Sequence, residues 1–448
     1  MARGPASRKI TSGMRSVDNL ARTIAAVDAR LPLAARLLEE LRARSLDEGG
    51  GVTRPSYGAG EQIGHDLMRA AATEAELAVT TDAAGNLYAT LPGMDRATPR
   101  WISGSHFDSV PRGGNFDGAA GAVAALIAIM TLRDLGIRPR QDMVAMAIRA
   151  EECSSWFSGQ HGGHLGSRAA LGLLKPSELD TAIHLGTKRT LAQSIDDAGF
   201  DSVAVRRGPP LLSAGNVRGF IELHIEQGPV LVREEVSVAI VTSIRGTVRA
   251  RDARCIGAYS HSGAVPQALR QDAVLATAEL IHRVEQYCDQ LRAAGDDVVF
   301  AIGRLHTDAA VDSLSKVPGD VRFTIDLRCQ DANVLLPLNS LLQDYADEIG
   351  ARRNVRFDLG KRAVAEPTAM DQAFRAVLQQ QAGLLGLAAP EMPCGAGHDA
   401  AEFVRANIPS CMIFVRNTGE SHNPDEYMEL ADFRDGILLL ACFLLKMA

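Results

Sequence analysis

Two adjacent glutamates, Glu151 and Glu152, follow a run of apolar residues in this chain. Burying a carboxylate without a partner is costly, so an apolar strand that ends in two of them indicates a site with its own counter-charges. A carboxylate that binds a metal ion stays ionised and bound, whereas a general base has to be free to accept a proton. Neighbours on a strand project to opposite sides, so a strand end can divide these two tasks between them. The alternative is a solvated acidic pair on a loop.

Four further segments place histidines and acidic residues at the edges of predicted strands. They are "GSHFDSV" with His106 and Asp108, "GGNFDGAAG" with Asp117, "ELHIEQGP" with His224 and Glu226, and "ESHNPDE" with His422. Imidazoles and carboxylates suit zinc and its first-row neighbours, and two ions held close together need a carboxylate between them. A single histidine at a strand end is more often structural, but the segments together match what a two-metal hydrolytic site requires.

The elements that must position these residues follow from hydrophobic periodicity. Helical spacing covers residues 24–43, 60–77 and 119–135, and "DMVAMAIRA" is an apolar strand of the kind that a parallel sheet buries on both faces. The strand–helix–strand alternation predicts an α/β domain. Beyond about residue 244 the pattern changes to strands separated by long helices at 268–293 and 333–349. This second pattern predicts an antiparallel sheet with two helices on one face.

The length of 448 residues exceeds the size at which one hydrophobic core stops growing. We therefore predict a flexible tail at residues 1–20, a discontinuous catalytic domain at 21–243 and 363–448, and an inserted domain at 244–362. The net charge of −7 argues against a nucleic-acid surface, and no apolar run is long enough to span a bilayer. Seven cysteines without CxxC pairs indicate reduced thiols, so we expect a cytoplasmic protein.

A family resemblance rests on seven segments that occur in order along the chain: "GSHFDSVPRGGNFDG", "EE", "ELHIEQGPVL", "AYSHSGAVP", "VPGDVRFTIDLR", "GAGHDA" and "SHNPDE". They resemble the amidase/carbamoylase branch of the M20 metallopeptidase-like family, which includes N-carbamoyl-L-amino acid hydrolases, allantoate amidohydrolases and ureidoglycolate hydrolases. The resemblance implies a mixed-sheet α/β catalytic domain of the metallopeptidase-like type. It also implies an inserted α+β domain of ferredoxin-like topology, which serves as a lid and through which two subunits form a homodimer.

The resemblance implies two divalent metal ions per subunit, with zinc, manganese, cobalt and nickel as candidates. By position, His106 and His224 bind one ion, and Glu152 and His422 bind the other. Asp117 then binds both.

The resemblance also assigns the residues that move protons. Glu151 is the general base, which takes a proton from water and passes it to the leaving nitrogen. Asp108 orients the ring of His106, the usual task of a residue behind a ligand. The alternative for Asp108, and equally for Glu226, is a simple turn or strand-edge carboxylate.

Six residues are candidates for substrate binding by the same resemblance: Gln227, His261, Ser315, Arg328, Gly397 and His398. In relatives, the histidine matching His261 stabilises the oxyanion and comes from the partner subunit. Arg328 matches an arginine that holds the substrate carboxylate, for which a guanidinium fork is well suited. The alternative for Arg328 is an ion pair with Asp326 at a strand edge. His161 and His164, in "GQHGGHLGSR", are interpreted as loop residues beside the site.

The implied activity is hydrolysis of a linear C–N bond in a carbamoyl or ureido substrate that carries a carboxylate, a small molecule such as an N-carbamoyl-L-amino acid, allantoate or ureidoglycolate. The alternatives are an M20-type dipeptidase or aminoacylase, and a non-catalytic metal-binding relative. The chain departs from the family pattern at Ser315, where many relatives have asparagine, at Cys153 and at Cys394. These departures bear on the substrate rather than on the type of reaction.

Overall fold

The computed structural model describes residues 6–158 and 163–448, with side chains from residue 19 onward. The helices are α1 (Ala6–Ser45), α2 (Ala59–Glu74), α3 (Ala119–Asp134), α4 (Leu165–Ala170), α5 (Glu178–Thr181), α6 (Leu191–Asp197), α7 (Ser202–Arg207), α8 (Val230–Arg233), α9 (Ala273–Ala294), α10 (Ala332–Arg353), α11 (Gln372–Leu385), α12 (Asp399–Arg405) and α13 (Leu430–Met447).

The strands are β1 (Ala78–Thr81), β2 (Leu87–Leu91), β3 (Arg100–His106), β4 (Met143–Ile148), β5 (Phe157–Ser158), β6 (Ile183–His184), β7 (Val217–Ile225), β8 (Val238–Ile244), β9 (Gly246–Ile256), β10 (Ser260–His261), β11 (Val298–Ala301), β12 (Leu305–His306), β13 (Lys316–Val317), β14 (Asp320–Cys329), β15 (Arg356–Asp358), β16 (Arg362–Ala365), β17 (Thr368–Ala369), β18 (Glu391–Cys394) and β19 (Ser410–Val415).

The chain divides into two compact units. The first contains the residues up to Thr242, Met370–Met392 and Gly397–Ala448, and the second contains Ser243–Ala369 and Pro393–Ala396. Residues 363–369, which we expected in the catalytic domain, lie in the second unit because β16 pairs with β9. Helix α1 begins at Ala6, inside the segment for which we expected a tail, so the helix predicted at 24–43 is longer than its periodic pattern.

The first unit is built on a mixed sheet with the order β1-β2-β4-β3-β7-β19-β8. Strands β4, β3, β7 and β19 are parallel neighbours, whereas β2 and β8 pair antiparallel with β4 and β19. Parallel strands align their carboxyl ends at one edge, where open α/β sheets bind ligands. The mixed α/β sheet predicted from the sequence is confirmed.

Helices cover both faces of the central strands. Every residue of β4 is buried, as predicted, and α3 is buried over residues 119–132 as it packs across β3, β4 and β7. On β7, the ring of Phe220 stacks on Phe403 of α12, whereas Leu223 lies against Gly436 of α13. Phe220 and Leu223 therefore contact helices on opposite faces of the sheet, because residues an odd number of positions apart on a strand point to opposite sides.

The second unit is an antiparallel sheet with the order β11-β14-β9-β15, flanked by the short strands β12 and β16. Alternate residues of β14, from Val321 to Cys329, are buried, and they form one core with residues of α9 and α10. The chain order β9-α9-β11-β14-α10-β15 is that of a ferredoxin-like unit, which agrees with the predicted antiparallel sheet. Its roles as lid and dimerisation domain remain predictions.

None of the helices in the described residues combines the length and the apolar character needed to cross a bilayer. The seven cysteines are all buried.

The stack of Phe220 on Phe403 provides a test of the packing behind the site. The ring centroids are 3.8 Å apart and both side chains are fully buried. We expect Phe403→Ala to lower the free energy of unfolding by about 3–5 kcal/mol, because it removes a large buried side chain and leaves a cavity. Chemical denaturation of the metal-free protein measures this loss. Leu384→Ala, at a leucine that is 53% exposed, is the control and should change stability by less than about 0.5 kcal/mol.

Candidate metal centre

Two groups of side chains at the carboxyl edge of the parallel strands could each hold a metal ion. The first is His106, Asp117 and His224, and the second is Asp117, Glu152 and His422; within each group the ligand atoms all lie within 4.8 Å of one another. These are the five residues that the sequence predicted as ligands. The structure brings them together in the predicted division, with Asp117 common to both groups.

The two oxygens of Asp117 face different groups. Oδ1 lies 3.3 Å from Nε2 of His224 and 3.6 Å from Nε2 of His106. Oδ2 lies 3.5 Å from Nε2 of His422, which in turn is 2.8 Å from Oε1 of Glu152. A carboxylate placed in this way can serve two ions, one with each oxygen.

The ring nitrogens of the first group fit a metal ion. Nδ1 of His106 lies 3.0 Å from the carbonyl oxygen of Asp108, and Nδ1 of His224 lies 2.9 Å from that of Ile225. A carbonyl only accepts, so both rings have an N–H at Nδ1 and direct Nε2 toward Asp117, where it is the ring atom available to a metal ion. Nε2 of His106 is buried and has no hydrogen-bond partner among the described residues. A ligand histidine characteristically donates its other N–H to a carbonyl or carboxylate in this way.

Two carboxylates of the site have raised pKa values, which indicates too little positive charge around them. Burial raises the pKa of Glu152 to about 7, and the nearby Glu151 and Asp117 add to the rise against a lowering by His422. Burial and the charge of Asp117 likewise raise the pKa of Glu426 to about 7. The neighbouring side chains therefore do not fully compensate the negative charge, which is the condition under which bound cations stabilise a site. Nitrogen and oxygen donors of this kind suit zinc, manganese, cobalt and nickel.

The adjacent glutamates have separate surroundings. Oε1 of Glu152 contacts His422, whereas Glu151 lies outside both candidate metal groups, with Oε2 3.8 Å from Nε2 of His106. Burial alone would raise the pKa of Glu151, but the rings of His106 and His164 lower it to about 2. An ionised carboxylate next to the ligands, but not among them, has the form that a general base requires.

The turn before these glutamates holds a strained backbone. The backbone of Ala150 has φ of 55°, in the left-handed region that residues other than glycine rarely adopt. Its N–H donates to Oε1 of Glu61 at 2.7 Å, and Oε2 of Glu61 accepts from Tyr57 N and from Arg149. Strain of this kind persists only where surrounding contacts fix the backbone, and it is concentrated at functional sites.

Asp108 contacts more of the site than its predicted role requires. Its carboxylate accepts from the backbone N–H groups of Glu151 at 3.1 Å and Glu152 at 3.0 Å, and from the hydroxyl of Ser56 at 2.6 Å. Oδ1 is also 3.3 Å from Nδ1 of His106, whose closer contact is the Asp108 carbonyl. Asp108 therefore lies against the His106 ring and also against the backbone that carries both glutamates. Glu226 instead accepts from Val230 N and Leu231 N, as a turn carboxylate does.

A second buried carboxylate supports Asp117. Oε1 of Glu426 accepts from Phe116 N at 2.8 Å and Asp117 N at 3.1 Å, while Ser421 donates to Asp117 Oδ2. Gly118 has φ of 65°, and a Cβ there would lie 2.3 Å from Cε1 of His106. The loop that presents Asp117 therefore needs a glycine at this position.

Glu61, Ser421 and Glu426 had no predicted role. The last two lie in "ESHNPDE", so their nearness to His422 was a signal, whereas nothing local marks Glu61. His164 was interpreted only as a loop residue beside the site; its ring contacts both Glu151 and Glu402, and Glu402 was assigned no role either. His161 lies outside the described residues.

Three of the substrate-binding candidates lie beside the metal groups. Nε2 of Gln227 donates to Oδ2 of Asp117 at 2.8 Å. The ring of His398 is buried 4.3 Å from that of His224, and its nitrogens have no hydrogen-bond partner among the described residues. Gly397, the residue before it, borders the ring of His164.

The other three candidates belong to the second unit. His261 and Ser315 are on neighbouring segments, because β10 pairs with β13 and the carbonyl of Ser315 accepts from Ser262 N at 2.8 Å. Arg328 donates to Asp326 at 2.7 Å, the alternative raised by the sequence, and to the carbonyl of Gly395 at 2.5 Å.

The contacts of Asp108 generate a prediction about metal affinity. Asp108→Ala removes the acceptor for two buried N–H groups and a contact of the His106 ring, so residues of both groups lose their support. We expect metal affinity to fall about 10–100-fold, the usual effect of removing a residue behind a ligand. Titration of the metal-free protein against a competing chelator measures it. Glu226→Ala, which removes a buried carboxylate that caps a turn, is the matched control and should retain affinity within about threefold. Equal effects of the two variants would contradict this role for Asp108.

Comparison with known proteins supplies the context for this centre. The family model described as peptidase family M20/M25/M40 matches residues 92–446. The N-carbamoyl-L-amino-acid amidohydrolase of Paenarthrobacter aurescens is 33% identical over 408 residues, which cover 90% of this chain and 95% of that protein. The allantoate amidohydrolase of Escherichia coli is 30% identical over 90% of this chain and 94% of its own length. Among solved structures, an amidase of the hydantoinase/carbamoylase family from Burkholderia multivorans has a TM-score of 0.82 at 26% identity, over 93% of this chain and 98% of that one.

Proposed function

Because the chain belongs to peptidase family M20/M25/M40, we propose that it is a binuclear metal-dependent amidohydrolase. Its substrate is a small carbamoyl or ureido compound that carries a carboxylate, and it cleaves a linear C–N bond other than a peptide bond. The observation that carries the proposal is the pair of candidate metal groups that share Asp117, with Glu151 ionised beside them and outside both. Relatives named as N-carbamoyl-L-amino-acid and allantoate amidohydrolases support the choice of bond.

In this proposal the five candidate ligands of the first unit divide the binding of two metal ions. His106 and His224 would hold one ion, Glu152 and His422 the other, and Asp117 both. Bound divalent ions supply Lewis acidity and lower the pKa of water, so that a nucleophile forms near neutral pH.

The proton transfers belong to the glutamate that is not a ligand. Glu151 accepts the proton of the attacking water and delivers it to the nitrogen that leaves. From an N-carbamoyl amino acid, net addition of one water gives the amino acid, carbon dioxide and ammonia. Asp108 acts as a positioning residue for the backbone of Glu151.

Substrate recognition is divided between the units in the same proposal. Gln227, Gly397 and His398 border the metal groups, while the second unit contributes Arg328 to the substrate carboxylate. His261 stabilises the oxyanion and Ser315 contacts the substrate. By the pattern of relatives, the protein is a cytoplasmic homodimer formed through the inserted domain. Light scattering tests the dimer, and a monomer at micromolar concentration would contradict it.

A second candidate is a dipeptidase or aminoacylase. The observation in its favour is the family itself, whose description is that of peptidases. Such an enzyme needs the same metals and base, so the site residues do not separate the two candidates and a substrate comparison has to. The third alternative, a metal-binding relative without activity, has no use for an ionised carboxylate in the position of Glu151.

The decisive experiment is a substrate panel with defined metals. The metal-free protein is reconstituted with Mn²⁺, Co²⁺, Ni²⁺ or Zn²⁺ and assayed for ammonia release from N-carbamoyl-L-amino acids, allantoate and ureidoglycolate. Dipeptides and N-acetyl amino acids are assayed in parallel. We expect metal-dependent turnover of at least one ureido compound. Turnover confined to dipeptides or acyl amino acids would establish the second candidate, and no turnover of either class would leave the non-catalytic relative.

The base assignment has its own test. Glu151→Gln keeps the size of the side chain and removes its ability to accept a proton. We expect kcat to fall about 10²–10⁴-fold, the contribution typical of general acid–base catalysis. The metal content should stay near two ions per chain, since Glu151 is outside the candidate ligand groups. In Glu152→Gln, the matched control, metal content should fall as well. A variant at position 151 that retains its rate would refute the assignment.

The carboxylate-binding role is tested at Arg328. Arg328→Lys keeps the charge but loses the planar fork, so KM for a carboxylate substrate should rise about 10–100-fold, in line with the ~1.5–3 kcal/mol of a hydrogen bond to a charged group. Arg249 donates to the same Asp326 and is the matched control. Arg249→Lys should leave KM within about threefold. If both variants have the same KM as the unaltered protein, Arg328 is only an ion-pair partner of Asp326.

A further inference from the structure

His164 lies between two buried carboxylates of the first unit. Its Nε2 is 3.2 Å from Oε1 of Glu151, and its Nδ1 is 3.1 Å from Oε1 of Glu402. Only 15% of the His164 side chain is exposed, and the carboxylates are exposed by 8% and 2%. Both ring nitrogens are thus engaged, and the orientation of the ring is fixed from both sides.

The chain of contacts continues beyond Glu402. Nη1 of Arg405, one turn further along α12, donates to Oε1 of Glu402 at 2.6 Å. The acceptor that holds His164 is therefore itself held by a cation. A ring fixed by a carboxylate behind it is a common way of setting the direction in which its other nitrogen points.

Backbone hydrogen bonds join the segment that begins at His164 to the segment that ends at Glu151. His164 N donates to the carbonyl of Glu151 at 3.4 Å, Leu165 N to that of Ala150 at 3.1 Å, and Gly166 N to that of Arg149 at 2.9 Å. A Cβ on Gly166 would lie 2.2 Å from the carbonyl oxygen of Arg149, so the close approach of the two segments depends on this glycine.

Two further features indicate that the position of the ring is fixed. His164 has φ of 48° and ψ of 49°, a left-handed conformation that costs a non-glycine residue free energy and persists where contacts enforce it. A Cβ on Gly397 would lie 3.2 Å from Cε1 of the ring, so the absence of a side chain there leaves room for it.

We propose that His164 is a positioning residue for the general base: it anchors Oε1 of Glu151 and so directs Oε2 toward His106 and the metal groups. The inference rests on the proposed function, in which Glu151 takes the proton, and adds a residue that neither the glutamate pair nor the candidate ligand groups contain. Oε2 is the oxygen 3.8 Å from Nε2 of His106, whereas Oε1 faces His164. A carboxylate anchored by one oxygen loses less freedom when the other accepts a proton.

The test replaces the ring without emptying its space. His164→Phe keeps a buried ring and removes both nitrogens. We expect kcat to fall at least tenfold, with KM within threefold and metal content unchanged, and His164→Gln, which can still donate to Glu151, to recover part of the loss. His184→Phe is the matched control, because His184 is also buried and packs against Trp156 and Phe157, but the ring hydrogen bonds seen among the described residues are with backbone N–H groups of its own turn. It should keep kcat within twofold.

A crystal structure of each variant in the metal-free state provides a readout that does not depend on activity. The proposal predicts that the Glu151 carboxylate leaves its position in His164→Phe and keeps it in His164→Gln. It is overturned if Glu151 stays in place and kcat is within twofold, and equally if metal content falls with kcat, because His164 would then support the ligands. Should no ureido substrate be turned over by the unaltered protein, the proposed function fails, while the position of Glu151 still decides this inference.

Discussion

Buried negative charge is the constraint on which the rest of this site depends. Ligand oxygens of Asp117 and Glu152 lie within 4.8 Å of one another, and Glu151 is adjacent to Glu152 in the sequence. The side chains of all three are almost completely buried. Each therefore needs donors or cations in place of solvent. Asp117 obtains them from His106, His224 and His422, and from Gln227 and Ser421. This demand ties the carboxyl ends of four parallel strands, and the loops that follow them, into one cluster.

A second set of carboxylates serves the backbone instead of a ligand. Asp108, Glu61 and Glu426 each accept from N–H groups at or next to a candidate ligand or the base. A loop that carries a ligand leaves these N–H groups without a strand or helix partner, and a buried unpaired donor is costly. Using carboxylates as acceptors satisfies the donors, and it also holds Ala150 in its left-handed conformation. The positions of the candidate ligands are therefore set by residues that lie outside both candidate metal groups.

Most of the fold was predictable because hydrophobic periodicity is a local signal. The apolar strand β4, helix α3 and the antiparallel second unit follow from patterns that extend over 6 to 22 residues. The five candidate ligands could be proposed because each lies in a short motif at a strand edge, and the family resemblance distinguished them from the other acidic residues of those motifs. Glu61 could not, since it meets Ala150 across 89 positions of sequence, and a helical glutamate is ordinarily a surface residue. His164 was assigned to a loop for the same reason: its partners, Glu151 and Glu402, are brought to it only by the tertiary fold.

The proposed separation between chemistry and substrate recognition coincides with the division of the chain into two units. All candidate ligands, the base and its supporting carboxylates belong to the first unit, whereas Arg328, His261 and Ser315 belong to the second. In the proposed function, changes at these three residues would alter which carboxylate compound is accepted without disturbing the charge balance of the candidate metal groups. Substitutions near Glu151 have no such freedom, because its two oxygens already face His106 and His164. Variation at Ser315 is thus compatible with an unchanged reaction, while variation at Asp108 or Asp117 would disrupt the balance of buried charge on which the whole site is built.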